Sequence, residues 1–289
     1  MENQSAGWRL KLALAGLVLA VFAVIWFAAA ALGSKYGLWG WQFGLGTMTI
    51  TWGPRIAMLA MGVSALGLIA GLTRAPRTQP FILGLAGLLI GGLVLGRLAA
   101  FGAQASRLPP IHDVQTDWSE PIQFSDTLMA IREADGAQNP VVDAPTITEG
   151  ADARWPGFGG RLVSEVQEEA EWSPETQEDP IDAPYPYEIQ PLRFDAPSGE
   201  VFNVAQSIVE QRGWEVVTAD AGSGVIEATE TSGWFGFKDD VAIRVRDEDG
   251  RTRVDVRSVS RVGLSDLGAN AKRVDEFVKD LGQRLTDAN

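Results

Sequence analysis

From Leu12 to Leu32 the chain is an almost unbroken run of apolar side chains, and no other stretch restricts the fold so strongly. About 20 such residues in a helix span a bilayer. Two more runs follow, one from Met48 or Ile56 to Leu72 (taken as about 52–72) and one from Phe81 to about Ala100. The first run has a rival reading as a cleaved signal peptide, because Ala28 to Ala31 offer small residues for cleavage. Its length and the two runs behind it favour a retained anchor over 12–32. For the other two the rival is a buried helix pair in a soluble protein. Their glycine content argues against that, since glycine destabilises helices in water but lets membrane helices approach closely. Gly67/Gly71, Gly87/Gly91 and Gly92/Gly96 have the small-xxx-small spacing, which points to mutual packing of the three helices, with dimerisation as the sharper alternative.

Up to Phe101 the only acid is Glu2, whereas the net charge of the whole chain is -13, so the acids are concentrated beyond that point. This split predicts a membrane part and an acidic soluble part, and it argues against nucleic acid as a partner. There are no cysteines, hence no disulfides and no thiolate metal sites. Arg9 and Lys11 precede the first run, and Arg74 and Arg77 separate the second from the third, while Lys35 is the one clear cation of the first loop. The positive-inside rule then predicts a cytoplasmic amino terminus and, after three crossings, a periplasmic soluble part in a bacterial inner membrane. The loop from Tyr36 to Trp52 carries Trp39, Trp41, Phe43 and Trp52, which suit the outer interfacial belt; a quinone or lipid site there is the alternative.

Residues 105–184 read as an extended, acidic linker with short helices. Pro109 to Asp117 is a rigid exit holding the chain's one histidine, His112. With Asp113 and Asp117 it forms a docking motif; a metal site or an acid–base pair is the alternative. A short helix capped by Ser125 or Asp126 is expected up to Ala134. Asn139 to Gly160 reads as loop, and Arg161 to Trp172 has weak helical periodicity. The acids from Glu165 to Asp182, broken by Pro174 and Pro180, read as a solvated insertion, or as a tether for a basic partner.

Residues 185–289 read as a compact domain. Ile189 to Phe194 is a strand. Pro197 to Arg212 is a helix, with Val201, Val204, Ala205, Ile208 and Val209 at helical spacing. Trp214 to Ala219 and Val225 to Thr229 are strands. Val241, Ile243 and Val245 alternate with Ala242, Arg244 and Arg246, and the alternation resumes from Arg253 to Arg257 after the turn Asp247 to Gly250. With Arg246 facing Arg251, Ile243 lies opposite Val254 and Asp240 opposite Arg257, as a cross-strand ion pair. Ser265 or Asp266 caps a last helix running to about Leu285, which packs through Leu267, Val274, Phe277, Val278 and Leu281. The fold class is therefore α+β. Three transmembrane helices over 1–104 precede a two-layer α/β sandwich with an antiparallel sheet, in the order β-α-β-β-β-β-α and with both helices on one face.

Several segments carry a more specific likeness: Tyr185-Pro186, Ile189 to Leu192, Gly213 to Val217, Ile226 to Thr229, Phe235 to Asp240, Val254 to Gly263 and Ser265 to Arg273. They resemble the signatures of the domain-of-unknown-function family 1499, and Ile111-His112-Asp113 with Thr116-Asp117 resembles the upstream motif of its membrane-anchored bacterial members. That family has a plainer Tyr-Pro-Asp-Ile entry to the domain, where Tyr187 and Glu188 intervene here. The resemblance implies an envelope or organelle protein and brings with it no activity, cofactor or catalytic residue.

Lys238, Asp239, Asp240, Arg244, Arg257, Ser258, Ser260, Arg261, Asp266, Asn270 and Arg273 fall on one strand pair and the following helix start. A helix amino terminus flanked by Arg261 and Arg273 can hold an anion, so an anionic small ligand or a partner's acidic segment is one expectation. Internal pairing, as in Asp240 with Arg257, is the other. A hydrolase using Asp239/Asp240 or His112 is a third, although no nucleophile elbow, metal motif or phosphate loop is present. The predicted role is a non-enzymatic binding or accessory module, or a subunit docked by its glycine-faced helices to other membrane or envelope proteins, with no cofactor and no metal.

Overall fold

The computed structural model describes residues 3–173, 183–186 and 188–287. The chain divides into two compact units: Met1–Gln104 with Gly233–Gly236, and Ala105–Ser232 with Phe237–Asn289. Helices α1 (Asn3–Lys35), α2 (Gly53–Thr73) and α3 (Thr78–Ala105) lie almost wholly in the first unit. Three segments, Gly7–Lys35, Gln42–Thr73 and Thr78–Ala105, are long and apolar enough to cross a membrane.

Glycine decides how closely these helices meet. A Cβ on Gly67 would lie 2.6 Å from the Ala13 backbone, and one on Gly16 would lie 2.6 Å from the backbone of Ser64. Gly87 likewise sits against Ser64 and Leu17, and Gly91 against Met61. Gly96 meets nothing, and Gly92 touches only the end of Met61, so the Gly92/Gly96 pair is not used within the unit. Tyr36–Trp52 is not the loop the sequence suggested. Gln42–Trp52 is wound as a π-helix that runs straight into α2. The hydroxyls of Thr49 and Thr51 donate to the carbonyls of Gly44 and Gly46, each five residues back, which supplements the wide turn. Trp39 is folded back, its indole donating to the Ala30 carbonyl at 3.2 Å.

In the second unit the chain runs β2 (Leu192–Phe194), α6 (Ser198–Gln211), β3 (Glu215–Asp220), β4 (Val225–Thr231), β5 (Lys238–Glu248), β6 (Arg251–Ser260) and α7 (Ala269–Asp287), the expected order. Upstream of them lie β1 (Asp113–Gln115), α4 (Asp126–Ala134) and α5 (Val163–Ala170). The sheet is antiparallel in the order β1-β6-β5-β4-β3, with β2 also on β6. β1 pairs residues 257–259 of β6 and β2 pairs residues 252–254, so the two short strands share one edge end to end.

One sheet face is apolar. Ile226, Val241, Ile243, Val245, Val254 and Val256 pack on Val201, Ala205 and Ile208 of α6 and on Val274, Phe277 and Leu281 of α7. On the other face Ala242 and Val259 pack against Ile122, Phe124 and Leu128. Residues 105–170, read from sequence as a linker, therefore contribute to both clusters: Ile122, Phe124 and Leu128 cover the second face, and Ile111, Val114, Ile147 and Trp155 join the main core. Ser125 caps α4 by accepting from the Leu128 amide at 3.2 Å. Glu165–Ala170, expected as solvated insertion, belongs to α5, with Val166 and Ala170 buried; residues 174–182 of that insertion lie outside the described residues.

The hairpin register differs from the expected one by two residues. Arg246 faces Arg253, Ile243 faces Val256, Ala242 faces Arg257 and Asp240 faces Val259. Asp249 and Gly250 both take left-handed φ (52° and 80°), which closes the hairpin with a two-residue turn between Glu248 and Arg251 instead of a four-residue one. A shift of two keeps every side chain on its face. It does, however, remove the Asp240–Arg257 pair.

Candidate functional site

Eight of the eleven clustered residues are buried: Asp239, Asp240, Arg257, Ser258, Ser260, Arg261, Asn270 and Arg273. Lys238, Arg244 and Asp266 are half-buried. Because neighbours along a strand point to opposite faces, the cluster separates into two networks, one on each side of the sheet.

On the α7 side, Arg273 is the hub. It donates to Asp239 Oδ2 at 2.6 Å and to Ser258 Oγ at 2.9 Å, and it also meets Glu230 and Asn270 Oδ1. Asn270 donates to Ser260 Oγ and to the His112 carbonyl, both at 3.0 Å. Asp266 caps α7, accepting from the amides of Gly268 (2.8 Å) and Asn270 (2.9 Å). Burial pushes its carboxyl up to about 6, against the pull of those two amides.

On the opposite side, Asp240 receives Arg132 of α4 on Oδ2 at 2.5 Å, while Arg261 bonds both oxygens, at 2.8 and 2.6 Å. Thr229 adds a hydroxyl donor at 2.7 Å. Arg261 also reaches Asp135, as does Lys238 at 2.5 Å; the Lys238 hydrogen bond is the main reason the Asp135 carboxyl is held low. Arg257 is fully buried and grips Asp113 with two bonds, at 3.0 and 2.6 Å. Its remaining donors go to the carbonyls of Ile122 (2.7 Å) and Val142 (2.8 Å). Arg244 pairs with Asp255 at 3.0 Å and donates to the Glu120 carbonyl at 2.9 Å. Asp117 accepts from Ser119 and Arg253; burial alone would raise its pKa, but these bonds outweigh it and hold the carboxyl low.

Asp239 and Asp240 therefore do not form a carboxylate pair: they project to opposite faces, each held by arginine. His112 docks through its backbone, its carbonyl accepting from the Ser260 amide and from Asn270. Its imidazole Nδ1 is buried with no hydrogen-bond partner among the described residues, and burial lowers its pKa. Among the described residues no three His, Asp or Glu side chains come together as a metal site.

Partners that escaped sequence reasoning include Arg132, Asp135, Thr229, Glu230 and Asp255, and buried Glu227 was missed with them. Glu227 is fully buried and accepts from the Ser125 amide at 2.6 Å and from its hydroxyl at 2.5 Å. The one available signal was alternation in β4, which sets Glu227 and Thr229 on the face opposite Ile226 and Ala228.

These residues lie within a stretch that carries a known sequence profile. The profile described as "Protein of unknown function (DUF1499)" matches residues 113–281. The chain belongs to this family. No curated protein matches it. The DUF1499 match opens on Asp113, which Arg257 holds, and closes on Leu281, a core residue of α7. Residues that local pattern had left outside the compact domain thus fall inside the family's own span.

Proposed function

We propose that this DUF1499 protein is a non-enzymatic accessory module of the bacterial inner membrane. Three helices anchor it with a cytoplasmic amino terminus, and its α+β domain works on the periplasmic side as a subunit of a larger assembly of membrane or envelope proteins. Arg9, Lys11, Arg74 and Arg77 support that orientation. The observation that carries the reading is the saturation of the charged cluster. Arg257, Arg261 and Arg273 spend their donors on Asp113, Asp240, Asp239 and Glu230, so an anion or a substrate would have to break buried ion pairs to enter. Recognition is then left to the outer surface.

One observation favours a second reading, binding of an acidic partner segment at the cluster's outer end. Lys238 and Arg261 converge on Asp135, which is 36% exposed. A partner carboxylate can take its place there.

Cross-linking mass spectrometry on the full chain, solubilised in mild detergent, tests the first reading. It expects a defined assembly with cross-links from Lys238, Lys272 or Lys279 to one partner; a lone monomer at all protein concentrations contradicts it. A sulfate titration followed by thermal melting tests the second, which expects a rise in Tm that Lys238→Met abolishes.

A further inference from the structure

Within the first unit a groove of about 610 Å³ runs between α1 and α3, a volume inside the roughly 300–1,000 Å³ of small-molecule sites. Val24, Phe27 and Ala31 of α1 and Leu93, Val94 and Phe101 of α3 line it. The α1 positions recur at three, four and seven residues and the α3 positions at seven and eight, so each helix turns one apolar stripe toward the groove. Arg97 is its one charged lining residue. It lies four residues from both Leu93 and Phe101, hence on the same stripe, and about 12 Å from the end of α3 at 1.5 Å per residue. The other two helix arginines of this unit are engaged. Arg9 donates to the carbonyls of Arg74 (2.6 Å) and Ala75 (3.3 Å), and Arg55 donates to the Thr51 carbonyl and lies over the Trp52 ring. Arg97 makes no hydrogen bond or ion pair among the described residues, and it is exposed. A guanidinium within reach of hydrocarbon is costly unless an anion meets it, and phosphate matches its planar donors best.

We propose that this groove holds one glycerophospholipid, with an acyl chain between α1 and α3 and its phosphate on Arg97. The occupant is a membrane lipid and not a free phosphate, because the rest of the lining is almost entirely apolar.

The test uses the full chain in mild detergent, delipidated and then given either phosphatidylglycerol or a diacylglycerol with the same chains. Native mass spectrometry reads the retained lipid. Wild type should keep phosphatidylglycerol and lose diacylglycerol, and Arg97→Gln should cut retention about tenfold, as expected for loss of one charge-assisted contact. Ala100→Trp, at an exposed position on the groove wall, should expel the lipid while the thermal melt of the chain stays unchanged. Equal retention of both lipids, or undiminished retention by Arg97→Gln, would overturn the proposal.

Discussion

Asp240 and Arg261 lie 21 residues apart and meet through two hydrogen bonds of 2.8 and 2.6 Å, both buried, with Arg132 closing on the same carboxylate from α4. Asp240→Asn keeps the shape but takes from buried Arg132 its ion-pair partner and leaves Arg261 only Asp135, which costs about 3–5 kcal/mol. Arg132→Met removes only one of the two cations and should cost less, because Asp240 keeps Arg261. Urea denaturation checks the order. Equal midpoints for the two variants would contradict the account.

Gln167 acts as a surrogate strand. Its side chain accepts from the Gln115 amide at 3.2 Å and donates to the Gln115 carbonyl at 3.0 Å, closing the open edge of β1. The Trp118 indole donates to the same oxygen at 2.9 Å. Gln167→Ala leaves buried backbone groups unpaired and should cost about 1–3 kcal/mol. Hydrogen exchange at the Gln115 amide should speed up in the variant.

Two carboxyls predict how stability depends on pH. Burial pushes Glu171 up to about 7 and Asp266 up to about 6. A group raised on folding stabilises fully below its unfolded value, and that contribution is lost as pH rises through the folded value. Stability should therefore decline from about pH 4 to pH 7, between the ordinary carboxyl values and the raised ones. Glu171→Gln should flatten the upper part of the decline, around pH 7, and Asp266→Asn the lower part. Asp117 and Asp135 are held low, so their contribution is lost only under more acidic conditions, outside this window. Melting curves of wild type and variants across this range decide it: a parallel decline in all three would contradict the assignment.

In the first unit, Gly67→Ala should destabilise by about 1–3 kcal/mol, since its Cβ would meet the Ala13 backbone at 2.6 Å. Gly62→Ala, on the same helix with nothing within 4 Å, should be neutral or slightly stabilising. Thermal unfolding in detergent compares the two.

The apolar runs, the element order of the second unit and the faces of its hairpin were all legible, because each follows from local periodicity. The register was not. Its signal was present in Asp249-Gly250, an Asp-Gly pair of the kind that favours a two-residue turn, but the acidic run from Asp247 reads equally as a longer loop. The cover on the second sheet face was missed for another reason. Ile122 and Phe124 sit among prolines and acids without helical or strand period, and their partners Ala242 and Val259 are over a hundred residues away. The charged residues were expected as one cluster, and the structure divides them between the two faces of the sheet. That division into two networks follows from strand alternation, yet the partners Arg132 on α4 and Glu230 on β4 carried no motif that marked them.

Asp113 and Arg257, 144 residues apart and both fully buried, fasten the upstream segment to the sheet as an internal ion pair. A double-mutant cycle with Asp113→Leu and Arg257→Met, read as urea unfolding of the full chain in mild detergent, tests it most directly. Each single change should cost about 3–5 kcal/mol by stranding the other charge, and the double variant should cost less than their sum by about 1–3 kcal/mol or more. Strictly additive losses, or an Arg257→Met variant as stable as wild type, would contradict it.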